Sequence, residues 1–292
     1  MISIVENIDR HSFYRDYVKP GRPLVVKGGI SDMPAVQKWN NAYFKELGTS
    51  VNLPIKTGDV SKGEKVMMSL AAYAAQLETY ERELASGVTP AEKPAYLHDV
   101  PIFHIMPHLK EDVSSFPVSL FPSWYKDNWW KFVQFFMGPS NSLTPLHFDT
   151  LCTHNLFFQI SGSKRFYMVA ARDRDKCYLK SWRWAKVDLE HPDFDQFPLL
   201  REAQRDDVVI DPGDILFMPS GTLHQVRGLS ASISFNIDWH TNASVLAGLI
   251  SGFQGAPSKN VFYNAVTAAG LYLGIPSRYL LKYYQSYLNY VS

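Results

Sequence analysis

Two imidazoles and one carboxylate stand out in this chain of 292 residues. His147 and Asp149 lie two apart in Thr144-Pro-Leu-His147-Phe-Asp149, and His224 follows Pro212-Gly-Asp-Ile-Leu-Phe-Met-Pro219. An H-x-D pair joined by a later histidine can hold one face of an octahedral metal and leave the opposite face open. That is the ligand set expected of a non-haem Fe(II) oxygenase. Residues two apart on a β-strand project from the same face, so one strand end can offer both His147 and Asp149 to one ion. His224 needs a second strand beside the first. The turn Asp211-Pro-Gly-Asp214 and the apolar run Ile215–Met218 supply one, and Pro219 to His224 then leads back to the same place. Either element alone is common by chance; their ordered combination in a β-rich context carries the metal reading. His154 is the nearest rival ligand, but its offset of five from Asp149 turns it to the other face of a strand. His240 follows a strand and is expected at a rim, while His11, His98, His104, His108 and His191 are expected to be ordinary polar residues.

Holding these groups in place requires a β framework. From Ala95 to Trp239, short apolar runs are separated by turns, as at 156–160, 165–169, 208–210 and 215–218. Ser232-Ile-Ser-Phe-Asn-Ile-Asp-Trp239 alternates with period two, the pattern of a half-buried antiparallel strand. Many short strands at short intervals predict a sandwich or jelly roll rather than a parallel sheet. Ahead of them, residues 1–94 read as an α/β flanking region. It has a strand at 23–27, helical spacing over 34–47, a strand at 51–55 and an amphipathic helix over 69–84 with Ser69 as N-cap. Residues 241–292 have helical texture and end in an aromatic run from Tyr279 to Tyr290. The expected architecture is therefore mainly β with flanking helices: a front region (1–94), a β core (95–240) and a helical C-terminal segment (241–292).

Composition narrows the partners. The formal charge is +1, with 46% hydrophobic and 20% charged residues. No strong field favours nucleic acid or a membrane surface. Cys152 and Cys177 form neither a CxxC motif nor a disulfide framework. The first ten residues lack a basic stretch leading into a long apolar run, and the apolar stretch 265–275 is too short to cross a bilayer. A cytoplasmic setting is the expectation.

At the metal motif and around it, the chain resembles the JmjC hydroxylases of the cupin-like Fe(II)/2-oxoglutarate oxygenases. Among these it resembles the asparaginyl hydroxylase that inhibits hypoxia-inducible factor and small JmjC-only hydroxylases. Beyond Thr144–Asp149, the matching text is Asn155-Leu-Phe-Phe-Gln159-Ile-Ser-Gly162-Ser-Lys164-Arg165-Phe, Pro212–Pro219, His224 and Ser232-Ile-Ser-Phe-Asn236. Weaker matches are Tyr96-Leu-His-Asp-Val-Pro101 and Arg22–Gly28, so that the likeness spans about residues 20–240. The resemblance implies a double-stranded β-helix with Fe(II) held by His147, Asp149 and His224, and 2-oxoglutarate and O2 as cosubstrates. It places Lys164 against the distal carboxylate of 2-oxoglutarate, Thr144 and Tyr96 as hydroxyl donors to it, and Asn155 and Asn236 as amides lining the same pocket. A dianionic cosubstrate entering a barrel does need a buried cation and hydroxyl donors.

Two departures from the pattern bear on the substrate. The stretch from Asp149 to Gln159 is longer than in the asparaginyl hydroxylase, and its Thr150–His154 segment is expected to border the substrate mouth. Thr222-Leu223 stands where many relatives carry an aromatic pair. Trp182-Arg-Trp184, between the two metal-ligand motifs, is a candidate substrate lip. The expected reaction is hydroxylation of a C–H in a protein, peptide or small molecule derived from an amino acid, favoured over demethylation by the absence of a strongly basic surface. The alternatives are a non-catalytic cupin serving as a binding module, and a metal cupin that isomerises or oxidises a small molecule without 2-oxoglutarate. The C-terminal aromatic helices either pack on their own barrel or pair two subunits.

Overall fold

The computed structural model describes residues 2–56 and 65–283. Residues Tyr284 to Tyr290 of the C-terminal aromatic run lie outside them. The strands in chain order are β1 (Ser3–Val5), β2 (Leu24–Val26), β3 (Asn52–Lys56), β4 (Lys65–Ser69), β5 (Leu97–Val100), β6 (Val133–Gly138) and β7 (Leu143–His147). They continue as β8 (His154–Ser161), β9 (Lys164–Val169), β10 (Arg205–Ile210), β11 (Ile215–Met218), β12 (Leu223–Gly228) and β13 (Ser232–Trp239). Seven form one sheet in the order β1-β2-β11-β8-β13-β6-β5, and four form a second in the order β10-β9-β12-β7. Phe157, Leu216 and Met218 of the large sheet pack with Phe166, Met168 and Ile210 of the small one. The two sheets therefore close a jelly roll around an interior. Within the two sheets every pair of neighbouring strands is antiparallel except β1 with β2.

The chain changes sheet at tight corners. Between β8 and β9 the corner is Gly162, at φ +68°, where an added Cβ would lie 2.0 Å from the carbonyl oxygen of Ala231. No side chain fits there. Between β11 and β12 the corner is Pro219–Thr222. Ile215–Met218 accordingly pairs with β8 in the large sheet, and the strand lying beside β7 is β12 itself. That corrects the expectation that Ile215–Met218 would flank the His147 strand.

The large core sits outside the barrel, between the outer face of the large sheet and the helices and N-terminal elements that cover it. β8 and β13 are buried on both faces. Leu156, Phe158 and Ile160 with Ile233, Phe235, Ile237 and Trp239 enter that outer core. Asn155 and Gln159 with Ser232, Ser234, Asn236 and Asp238 occupy the opposite faces and are buried too. The period-two pattern of 232–239 thus separates apolar core from polar barrel interior, not core from water. Polar residues belong there because the interior holds the site.

The flanking regions are tied to the barrel. β1 and β2 belong to the large sheet, so the sheet runs through the sequence boundary near residue 94. The predicted helix over 34–47 is two short ones, Pro34–Lys38 and Asn41–Leu47, the second capped by Asn40. Trp39 sits at the break, 1% exposed, with its indole N–H donated to Asp112 at 2.9 Å. The Leu70–Ala85 helix begins where expected, with Ser69 accepting from the Ala72 amide. Two C-terminal helices, Asn242–Ile250 and Ser258–Leu273, pack on each other and on the barrel. His240, expected at a rim, is instead 2% exposed: its ring bonds Ser244 at 3.0 Å and Asn264 at 2.9 Å, pinning both helices. Burial pushes that imidazole down to about 4, so it makes these bonds as a neutral ring.

Candidate metal centre

His147 ends β7 and His224 lies near the start of β12, and the two are direct cross-strand partners. Residues opposite one another in an antiparallel pair point to the same face. Their ring centroids are accordingly 4.4 Å apart. Asp149 follows two residues past the strand end, with Oδ1 3.7 Å from His224 Nε2. One donor atom from each of the three lies within 4.8 Å of the others. Each histidine uses Nδ1 for a backbone carbonyl two residues earlier, His147 to Pro145 at 2.8 Å and His224 to Thr222 at 3.2 Å. With Nδ1 the donor, Nε2 is the free lone pair on each ring, which fixes the tautomer that a metal needs. Burial holds the His147 imidazole well below its ordinary range, with His224 and Arg183 adding to the effect. It therefore meets a cation without first shedding a proton.

Thr144 is three residues before His147, so a regular strand would point it away from the site. The pairing shifts between His147–His224 and Thr144–Val226: β7 spends three residues where β12 spends two. This bulge brings Thr144 opposite Val226, which packs against the barrel-interior cluster. Thr144 thus shares the inner face with His147 and His224.

Lys164 opens β9 and is 1% exposed. Its ammonium donates to Ser234 Oγ at 2.8 Å and to Tyr96 Oη at 3.1 Å. The rings of Phe157, Phe136 and Tyr96 surround it at 5.1, 5.5 and 5.6 Å. Among the described residues no carboxylate reaches it, and burial alone pushes it down to about 7. Gly138 allows this arrangement: a Cβ there would lie 2.2 Å from the Tyr96 ring. A buried ammonium with hydroxyl neighbours and no counter-ion fits the distal carboxylate of a dicarboxylate ligand.

Asn155 Nδ2 donates to Asp149 Oδ2 at 3.1 Å and to Asp238 Oδ1 at 3.0 Å, and Asn236 Nδ2 to Asp238 Oδ1 at 3.3 Å. Both amides thus face carboxylates. Burial pushes Asp238 well above the usual carboxylate range, with Asp149 and Asp99 adding to it. Ser234 and Asp238 were not singled out from the sequence, although the alternation in β13 places them on the same face as Asn236. Asp99 went unremarked too; its backbone is left-handed, at φ +59°.

The segments expected at the mouth behave differently. Leu151, Cys152, Thr153 and His154 are buried. The Ser220 hydroxyl donates to the Cys152 carbonyl, the Ser220 amide to His154 Nδ1 at 3.1 Å, and Asn260 Nδ2 to the Thr150 carbonyl at 3.2 Å. This stretch is packing beneath the C-terminal helix, and only Thr150 stays partly exposed. His154 lies against Trp239, ring centroids 4.7 Å apart, and burial pushes it down to about 3. The Trp182–Trp184 segment is a cover on the ligand strand. Phe148 donates its amide to the Arg183 carbonyl at 3.3 Å and Ala185 to the Leu146 carbonyl at 2.9 Å. Trp184 stacks on the His147 ring at 4.7 Å.

The cupin-like domain family matches residues 10–244 of this chain. The lysine-specific demethylase JMJ30 of Arabidopsis thaliana is 28% identical over 244 residues, covering 79% of this chain and 53% of that protein. The tRNA wybutosine-synthesizing protein 5 of Homo sapiens is 25% identical, covering 80% of this chain and 76% of that protein. The 2-oxoglutarate and iron-dependent oxygenase JMJD4 of Gallus gallus is 24% identical, covering 84% and 61%. The chain spans about half the length of several of the curated relatives it matches.

Proposed function

The chain belongs to the cupin-like domain family as a JmjC-type member of the Fe(II)/2-oxoglutarate oxygenases, and on that premise we propose that it hydroxylates a C–H bond. Its substrate is a protein, a peptide or a small molecule derived from an amino acid. The observation that carries this reading is the pairing, in the same barrel, of a His-Asp-His cluster with a buried ammonium that has no counter-ion among the described residues. A metal cupin working without 2-oxoglutarate has no use for the second feature.

Bound Fe(II) and 2-oxoglutarate supply the oxidising chemistry, in which O2 and 2-oxoglutarate become succinate, CO2 and one oxygen atom inserted into the substrate. His147, Asp149 and His224 would hold the iron. Lys164, with Tyr96, Ser234 and Thr144, receives the far carboxylate of 2-oxoglutarate and sets its depth in the barrel. Trp184 and the Phe148–Arg183 pairing keep the His147 strand from moving. Hydroxylation is the economical reading, because demethylation itself begins by hydroxylating an N-methyl carbon. In the test, succinate is measured after incubating the protein with 2-oxoglutarate. Release is expected with Fe(II) and O2 and should vanish when either is withheld; release independent of Fe(II) would overturn the reading.

The C-terminal helices support pairing with a second copy. Leu246 and Ile250 on the first, Leu273 on the second and Phe253 in the turn of 3-10 helix between them are exposed, Phe253 by 95%. Large apolar side chains exposed in this way are a common interface signal. Light scattering is expected to give twice the 33.2 kDa of one chain, and Ile250→Asp with Phe253→Asp to halve it. A 33.2 kDa species for the unaltered chain would show that these helices serve their own barrel alone.

A further inference from the structure

We propose that Asp238 is a positioning residue for the metal centre, acting through the amide of Asn155 on the carboxylate of Asp149. The inference rests on the oxygenase reading above only in taking His147, Asp149 and His224 as the metal ligands.

Asn155 and Asp238 are cross-strand partners on β8 and β13, 2% and 4% exposed. A primary amide has two N–H bonds, and the contacts at 3.1 and 3.0 Å commit both of Asn155's to carboxylates, one to Asp149 Oδ2 and one to Asp238 Oδ1. Its Oδ1 meets no donor among the described residues. Turned over, the amide would set an oxygen against two carboxylate oxygens, acceptor against acceptor. The two carboxylates together therefore select the sense of the amide. Asp149 alone would select it more weakly, because only one carboxylate oxygen would then oppose the turned amide. Asp238 is in turn held by Asn236 Nδ2 at 3.3 Å, which fixes the acceptor that the relay ends on.

The consequence falls on Asp149. This residue stands in the loop beyond β7, where nothing regular fixes its side chain. With Oδ2 bound to the amide, Oδ1 is the oxygen left on the side of His224, 3.7 Å from Nε2. Asp149 is thereby set to give one oxygen to the ion and not two, which keeps further metal positions open for cosubstrate and O2. A buried carboxylate is costly unless a cation or several donors offset it. The amides of Asn155 and Asn236, at 3.0 and 3.3 Å, supply that offset at Asp238. A role confined to joining β8 and β13 does not need an acceptor oxygen at this position, whereas the relay does.

The test uses the full chain and Co(II) alone, read by titration and by the visible absorption spectrum of the bound ion. Asp238→Ala is expected to weaken Co(II) binding by ~10–100-fold and to change the spectrum as Asp149 becomes free to offer both oxygens. Asp238→Asn keeps an oxygen acceptor in place and is expected to recover most of the affinity. Asn155→Ala cuts the same relay from the other side. It should give the same loss, and the double variant should lose no more than either single one. Either variant suffices should the other fail to fold. Unaltered affinity and spectrum in a folded Asp238→Ala or Asn155→Ala protein overturn the inference while leaving the metal centre intact. Co(II) binding by the parent chain that His147→Ala does not weaken would instead overturn the metal centre itself.

Discussion

Lys164→Met is expected to abolish productive use of 2-oxoglutarate while making the ligand-free protein more stable. Two opposite signs come from one side chain because Lys164 is buried for a ligand and not for the fold. Among the described residues, its ammonium in the ligand-free barrel meets two hydroxyls, three rings and no carboxylate. Methionine fills a similar volume without a charge to desolvate, and replacements of this kind often stabilise by ~1–4 kcal/mol. A dicarboxylate entering the site would in turn lose its buried cation, a change worth ~3–5 kcal/mol, or roughly 10²–10⁴-fold in affinity. Calorimetric titration with 2-oxoglutarate in the presence of Mn(II), beside thermal unfolding without ligand, reads both signs. Equal 2-oxoglutarate affinity in the variant would remove Lys164 from the site.

The same residue makes binding pH-dependent. In the folded, ligand-free chain Lys164 is pushed from 10.5 to about 7 by burial. Between those values the unfolded chain holds the proton and the folded one does not. Stability of the ligand-free protein therefore rises with pH across that window, and the desolvation penalty is felt in full below about 7. A bound carboxylate restores the charged form. Above pH ~7 binding should take up a proton, and affinity should fall toward tenfold per pH unit. Among groups facing Lys164, the Tyr96 phenol is itself pushed up by burial and stays neutral here. Proton uptake measured in two buffers of different ionisation enthalpy checks this, and the Met variant should show none.

What the sequence disclosed about the site follows a physical division. Groups carried by local chemistry were readable: the H-x-D spacing, the Pro-Gly turn ahead of His224, and the Ser69 cap. The jelly roll was readable because strand periodicity is local. Groups whose role depends on facing were not. Ser234 and Asp238 sit in a strand whose alternation was visible, but alternation alone does not say whether the polar face meets water or a cavity. The facing of Thr144 depends on a bulge in β7 that only the partner strand reveals. His240 looked like a rim residue because its partners, Ser244 and Asn264, come from helices folded back over the barrel. Thr150–His154 looked like a mouth because it lengthens a loop, yet Asn260 and Ser220, both distant in sequence, draw it inward.

His147→Ala and His154→Ala, the same chemical change seven residues apart, are expected to fail in opposite ways. His147 presents a free Nε2 toward His224 and Asp149, with Nδ1 already given to Pro145. Its removal should weaken Fe(II) or Co(II) binding by several orders of magnitude and bring succinate release to background. The cost in folding should be modest, because without a metal the His147 and His224 rings, 4.4 Å apart, stabilise each other little. His154 has no such freedom. Its Nδ1 accepts the Ser220 amide at 3.1 Å, its Nε2 lies 3.4 Å from Thr241 Oγ1, and its ring packs between Trp239 and Phe217. Deleting it leaves a cavity and an unsatisfied buried amide, together worth ~2–5 kcal/mol of stability. Metal affinity in the molecules that remain folded should be unchanged. Urea denaturation and metal titration on the two variants separate these effects. Parent-level turnover in His147→Ala would exclude the triad, and a loss of metal in folded His154→Ala would mean that the ion is held by the other face of this loop.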